Sequence, residues 1–153
     1  MTSMIEAALA YAEAGWPVFP VGGGDERKEP FIKGWNTKAS TDPDQVRKWW
    51  TKWPDANIGI ITGKRLGLWV LDIDLDKEGE TNLEVLLFKN DATLDPVCVA
   101  RTGGGGRHLY FKYEEGLRNR ASVEGGIDVR AEGGFVVVPP SVHGKTGCSY
   151  DWI

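Results

Sequence analysis

Cysteine and histidine are scarce here: two of each in 153 residues, with neither a disulfide framework nor zinc-ligand spacing among them. Cys98 and Cys148 are therefore expected to be two buried, reduced thiols. No apolar run approaches the roughly 18 residues of a membrane span, and there is no basic, hydrophobic leader. That argues against an integral membrane protein and against secretion, and for a cytoplasmic one. Positive charge is not in surplus either. Eighteen Lys and Arg face 22 Asp and Glu, a formal −4, so coating nucleic acid by phosphate neutralisation alone is excluded. Internal repeats and linkers are absent, and the length suits one domain spanning 1–153. A chain of this size buries about 70% of its unfolded surface and needs no covalent or metal staple. Apolar residues at 41% and charged residues at 26% are ordinary soluble usage and exclude general disorder.

What is present is unevenly distributed. From Asp72 to Asp95 eight acids face Lys77 and Lys89, a local −6, whereas from Arg101 to Arg130 six bases face four acids. Such a succession suits a site that holds cations and an anionic ligand together, and equally a solvated surface.

Ser3 with Glu6 reads as a capping box opening a helix that Gly15 ends. Asp42, with Pro43 in the first turn and Gln45 closing the box, opens a second helix. Its apolar stripe of Val46, Trp49, Trp50 and Trp53 is read as core, although tryptophans could also stack nucleobases. Residues 22–36 form a Gly- and charge-rich loop long enough to suggest a function. Strands are expected at 17–21, 57–62, 66–74, 97–102, 108–113, 126–130, 135–139 and 149–153, with a helix over 80–89. The segments 126–130 and 135–139 are expected to pair across the turn Ala131–Gly134. The fold class is α+β, a largely antiparallel or mixed sheet with few helices.

Side chains alternate across a strand, so parity assigns faces. Trp69, Leu71 and Ile73 share one face and Asp72 and Asp74 the other; Leu109 and Phe111 oppose His108, Tyr110 and Lys112; Ile127 and Val129 oppose Asp128 and Arg130. If these strands are neighbours, three carboxylates, a histidine and an arginine converge. Carboxylate oxygens hold Mg²⁺ or Mn²⁺, and two such ions about 4 Å apart can activate a 3′-hydroxyl and neutralise a leaving pyrophosphate. Asp72, Asp74 and Asp128 would be the ligands. The backbone of Gly103 to Gly106 could approach a triphosphate with no Cβ in the way, and His108 and Arg130 could contact its oxygens. Taken singly each feature has a plainer reading: a strand-end Asp-x-Asp, a flexible glycine hairpin without a Walker pattern, a structural histidine, a same-face Asp128–Arg130 salt bridge. Their order and consistent faces favour the functional one.

These residues carry a family likeness. The chain resembles the bifunctional primase/polymerase (prim-pol) domain of the archaeo-eukaryotic primase superfamily, found on plasmids, phages and other mobile elements. The resemblance runs through Gly15-Trp16-Pro17-Val18-Phe19-Pro20, Lys28-Glu29-Pro30 before Gly34-Trp35, Ser40-Thr41-Asp42, Asn57-Ile58-Gly59-Ile60 and Val70-Leu71-Asp72-Ile73-Asp74. It continues through Gly104-Gly105-Gly106-Arg107-His108, Gly126-Ile127-Asp128-Val129-Arg130 and Pro139-Pro140-Ser141. It implies an RRM-like catalytic sheet with a smaller N-terminal α/β part and the active site in the cleft between. Asp72, Asp74 and Asp128 then take the metal-ligand roles, with Mg²⁺ or Mn²⁺ as cofactor, and His108 a catalytic, nucleotide-binding one. Lys28, Thr102, Gly104, Gly105, Gly106, Arg107 and Arg130 are candidate contacts to the nucleotide. The implied activity is DNA primase/polymerase, adding dNTP or NTP to a primer's 3′-hydroxyl on single-stranded DNA. A helicase or an accessory helical domain is the expected protein partner. Related enzymes often carry further C-terminal helices or a zinc element; with neither before Ile153, extension is a firmer expectation than de novo priming. The rival readings are a catalytically silent single-strand-binding module using Arg107, Arg118 and Arg120, and a DxD glycosyltransferase-like enzyme.

Overall fold

Helix ends form where local polar groups satisfy otherwise orphaned backbone N–H groups. In the computed structural model, which describes residues 2–23 and 28–153, Ser3 caps α1 (Met4–Glu13). Its Oγ accepts the Glu6 N–H at 3.3 Å and the Glu6 carboxylate accepts the Ser3 N–H at 2.9 Å, so the expected capping box is complete. Asp42 caps α3 (Pro43–Lys52) differently: its Oδ1 accepts the Asp44 N–H at 2.9 Å, and its own N–H is taken by Ser40 Oγ at 2.9 Å, leaving nothing for Gln45 to close. The tryptophan stripe is core. Val46, Trp49 and Trp50 are buried, Trp53 packs against them, and Trp50 Nε1 donates to the Ala56 carbonyl at 3.0 Å. A short helix, α2 (Trp35–Lys38), begins at the end of the expected 22–36 loop, of which residues 24–27 fall outside the described residues.

Strands β1 (Val18–Val21), β2 (Asn57–Ile61) and β8 (Phe135–Val138) make a three-stranded antiparallel sheet in that order. A six-stranded sheet is built from β3 (Leu68–Ile73), β4 (Cys98–Arg101), β5 (Arg107–Lys112), β6 (Arg120–Glu124), β7 (Ile127–Arg130) and β9 (Asp151–Trp152). Its order is β6-β7-β3-β5-β4-β9, antiparallel at every named pairing. Helix α4 (Gly79–Lys89) connects β3 to β4, with β5 inserted between them, a split β-α-β arrangement. The α+β expectation of antiparallel sheets and few helices therefore holds. No described helix is long and apolar enough to cross a membrane.

Three expectations are corrected. First, 126–130 and 135–139 do not pair: β7 joins β3 and β6, while β8 joins β2 in the other sheet. The 131–134 link crosses between layers, held by Thr62 Oγ1 donating to the Ala131 carbonyl at 2.7 Å and Thr62 N–H to that of Gly134 at 3.0 Å. The smaller layer is thus not wholly N-terminal, since β8 arrives from late in the chain. Second, Cys148 is exposed and Cys98 half-buried, because Cys148 sits on a surface hairpin and Cys98 near a sheet edge. Third, the supposedly polar face of the large sheet is mostly a second core. Val70, Ala100 and Tyr110 are buried against β1, β2, β8, α1 and α3, while Leu71, Ile73, Leu109 and Ile127 pack with Leu83 of α4 on the other side.

Candidate active site

The three strands singled out by parity are neighbours, and their register aligns the key residues. Asp72 lies directly opposite His108 on β5 and directly opposite Asp128 on β7, so the three stand in one row on one face. Directly opposed antiparallel residues have Cβ atoms about 4.5–5.5 Å apart. Arg130, Val70 and Tyr110 form the next row.

Asp72 is the hub. His108 Nε2 lies 3.3 Å from Asp72 Oδ1, and the histidine is buried, with Nδ1 unpartnered among the described residues. Burial opposes the charged carboxylate, but the charge and hydrogen bond of His108, with Lys28 and Arg130 nearby, outweigh it and hold Asp72 down at about 2. Asp72 is thus ionised across ordinary pH. Asp74, just past the end of β3, caps the turn Leu75–Lys77 by accepting the Asp76 N–H at 3.1 Å, and lies 3.8 Å from Lys77 Nζ.

Asp72, Asp74 and Asp76 line one cleft of about 350 Å³ together with Lys28, Thr102, Gly104, Gly106, Lys77, His143, Lys145 and Tyr150. Carboxylates and cations thus line the same cleft. A smaller recess of about 160 Å³ behind Asp72 is lined by Lys28, His108 and Arg130. A larger cavity, about 650 Å³ beside Phe31 and Trp53, is mainly apolar-lined and holds none of the acids of the β3 row.

Asp128 does not line the cleft. A bulge in β6 puts Ser122 at φ 50° and turns its N–H onto Asp128 Oδ1 at 2.6 Å, while Arg130 donates to Oδ2 at 2.7 Å. The sequence-level alternative, a same-face Asp128–Arg130 pair, is present. Arg107 is on the wrong face. Its register partner is Ile73, so it points to the α4 side, where its guanidinium forks onto Glu80.

The glycine loop is tighter than a free phosphate cradle. The N–H groups of Gly105 and Gly106 are spent on the Thr102 carbonyl and hydroxyl, each at 3.0 Å. A Cβ on Gly106 would lie 2.0 Å from the Ile73 carbonyl oxygen, so packing demands glycine there. Gly104 faces the cleft without such a contact. Sequence reasoning missed Asp76, Lys77, His143, Lys145 and Tyr150. Nothing periodic in the sequence marks the hairpin that carries His143.

The fit of a divalent cation rests on donor chemistry. The acidic wall offers only carboxylate oxygens, the donors that Mg²⁺ and Mn²⁺ prefer. Among the described residues, however, no three His, Cys, Asp or Glu side chains already converge on one metal-binding point.

A comparison with curated proteins finds no match. The family model described as bifunctional DNA primase/polymerase, N-terminal, matches residues 8–153, nearly the whole chain, including every residue of the row and cleft. With that match standing on the strands that align Asp72, His108 and Asp128, the chain belongs to the Prim-Pol family of bifunctional DNA primase/polymerases.

Proposed function

We propose that this chain is a divalent-metal-dependent nucleotidyltransferase that adds nucleotides to a primer 3′-hydroxyl on single-stranded DNA during replication of a mobile element. The observation that carries this reading is one cleft lined both by the carboxylates Asp72 and Asp74 and by Lys28, Lys145 and His143. Family membership supports DNA primase/polymerase activity as the reaction class. The split β-α-β with the acids at one strand end is compatible with an RRM-like catalytic sheet.

Asp72 and Asp74 would hold Mg²⁺ or Mn²⁺, with Asp128 as the adjoining acid in the row. A cation so held would favour the 3′-alkoxide and neutralise charge on the departing pyrophosphate. The chain's own residues do the rest. His108 orients Asp72 and keeps it ionised. Lys28, beside Asp72 and with its Nζ 5.6 Å from the Tyr150 ring centroid, supplies positive charge toward phosphate oxygens. Arg130 faces the recess behind Asp72 and adds a second fixed cation.

The test is nucleotide incorporation on a primed and an unprimed single-stranded template with Mg²⁺ or Mn²⁺. Wild type is expected to extend the primer, and Asp72→Asn combined with Asp74→Asn to reduce incorporation to background with an unchanged circular dichroism spectrum. Full incorporation by the folded double variant overturns the mechanism. Ion-independent DNA binding without incorporation by wild type would identify a silent binding module instead.

A further inference from the structure

The hairpin spanning 142–149 has no role in the site as read from sequence, yet it forms one wall of the cleft. Its arms meet at the Val142–Ser149 bridge, with the His143 N–H donating to the Cys148 carbonyl at 2.9 Å and the Gly147 N–H to that of His143 at 2.8 Å. Thr146 fastens it to the glycine loop: Oγ1 donates to the Gly103 carbonyl at 2.7 Å and accepts the Cys148 N–H at 3.1 Å. The approach is so close that a Cβ on Gly103 would lie 2.4 Å from the His143 Cβ and 2.5 Å from the Cys148 carbonyl oxygen. Gly103 is a glycine because this hairpin rests on it.

The same threonine sets the histidine. The Thr146 N–H donates to His143 Nδ1 at 3.2 Å, so in the neutral ring Nε2 carries the proton. That nitrogen faces the glycine loop, where a Cβ on Gly104 would lie 3.6 Å away, and His143 lines the cleft together with Lys145, Lys28, Asp72, Asp74 and Asp76. The base of the hairpin closes with the Tyr150 N–H donating to the Ser141 carbonyl at 2.8 Å. Tyr150 is buried, its hydroxyl unpartnered among the described residues, and it too lines the cleft.

We propose that the hairpin is a second grip on the polyphosphate of the incoming nucleotide, with His143 Nε2–H as a direct donor to it and Thr146 as the residue that positions His143. The identity of the ligand as a nucleotide rests on the function proposed above; the polyphosphate chemistry rests on the wall itself. An N–H donor in one cleft with lysines and carboxylates suits a ligand that brings phosphate oxygens together with a shared cation.

The test is calorimetric binding of inorganic tripolyphosphate with Mn²⁺, alongside the nucleotide KM for primer extension. His143→Ala should weaken tripolyphosphate binding about tenfold and raise the nucleotide KM similarly, with a smaller change in kcat. His143→Phe, which keeps ring volume and removes both nitrogens, should do the same and decides the matter if the alanine variant melts early. Thr146→Val should weaken binding several-fold and Thr146→Ser should restore it, a rescue that loss of packing alone does not give. Unchanged tripolyphosphate affinity in folded His143→Phe overturns the proposal, whether or not the enzyme extends primers. His143-dependent tripolyphosphate binding by a wild type that incorporates nothing upholds the polyphosphate site and removes the nucleotidyltransferase reading.

Discussion

Leu71 and Asp72 are chain neighbours that face opposite layers, and the two faces of the large sheet solve the same problem differently. On the α4 side, Leu71, Ile73, Leu109 and Ile127 pack with Leu83 as a small core, and the polar Arg107 at the edge is paired with Glu80. On the other side Val70, Tyr110 and Ala100 enter a much larger core shared with the small sheet, α1 and α3. The acids lie at the end of that second face, where the cleft opens beside the covering layer. A polar residue within a strand is thus informative only together with what covers it: His108 is 1% exposed, while the side chain of its partner Asp72 keeps 23%. The buried histidine and the partly open carboxylate form one device.

Three experiments sharpen this comparison. The largest effect is expected from the cores. Trp50→Ala, in the larger core, should cost about 3–5 kcal/mol, and Leu83→Ala, under α4, about 2–3 kcal/mol, measured by urea unfolding. A reversed order would mean that α4 contributes more to the stability of the sheet than the small layer does. Next, the two arginines test the faces. Arg130→Gln should raise the nucleotide KM about tenfold, roughly 1.4 kcal/mol, and Arg107→Gln should leave it unchanged while costing at most about 1 kcal/mol of stability through the exposed Glu80 pair. Equal effects on KM would break the facial assignment.

The smallest concerns Tyr11, whose hydroxyl donates to the Pro139 carbonyl at 2.5 Å and accepts from Trp152 Nε1 at 2.9 Å, joining α1 to both late segments. Burial, opposed by the Trp152 N–H, pushes this hydroxyl up to about 12 from 10.0. The folded state therefore holds the proton longer than the unfolded chain. Its contribution is complete below pH 10 and is lost as pH rises through 10 to 12. Tyr11→Phe should cost about 1 kcal/mol at neutral pH and flatten the alkaline decline in melting temperature.

Much of this is legible in the sequence. Ser3–Glu6 and Asp42 could be read because caps are local, and the tryptophan stripe because burial follows the helical period. Parity placed Asp72, His108 and Asp128 on common faces because alternation is a property of each strand alone. What parity does not carry is partnership. The turn 131–134 looks like a hairpin and instead passes between sheets, because its carbonyls are bound by Thr62, some seventy residues earlier in the chain. Strand β6 is exposed throughout and bulged, so it has no buried face to reveal it, yet its Ser122 fixes one carboxylate oxygen of Asp128. His143 and Lys145 lie on a polar hairpin whose position depends on one threonine and one close glycine contact.

The Thr62 contacts have a mechanical meaning. The chain passes from the small sheet to the large one between β2 and β3, and back again between β7 and β8, and the two passages are bonded side by side. Strands carrying Asp72 and Asp128 are therefore sewn to the layer beneath by a double seam. Prising the layers apart at this edge would have to tear both stitches at once.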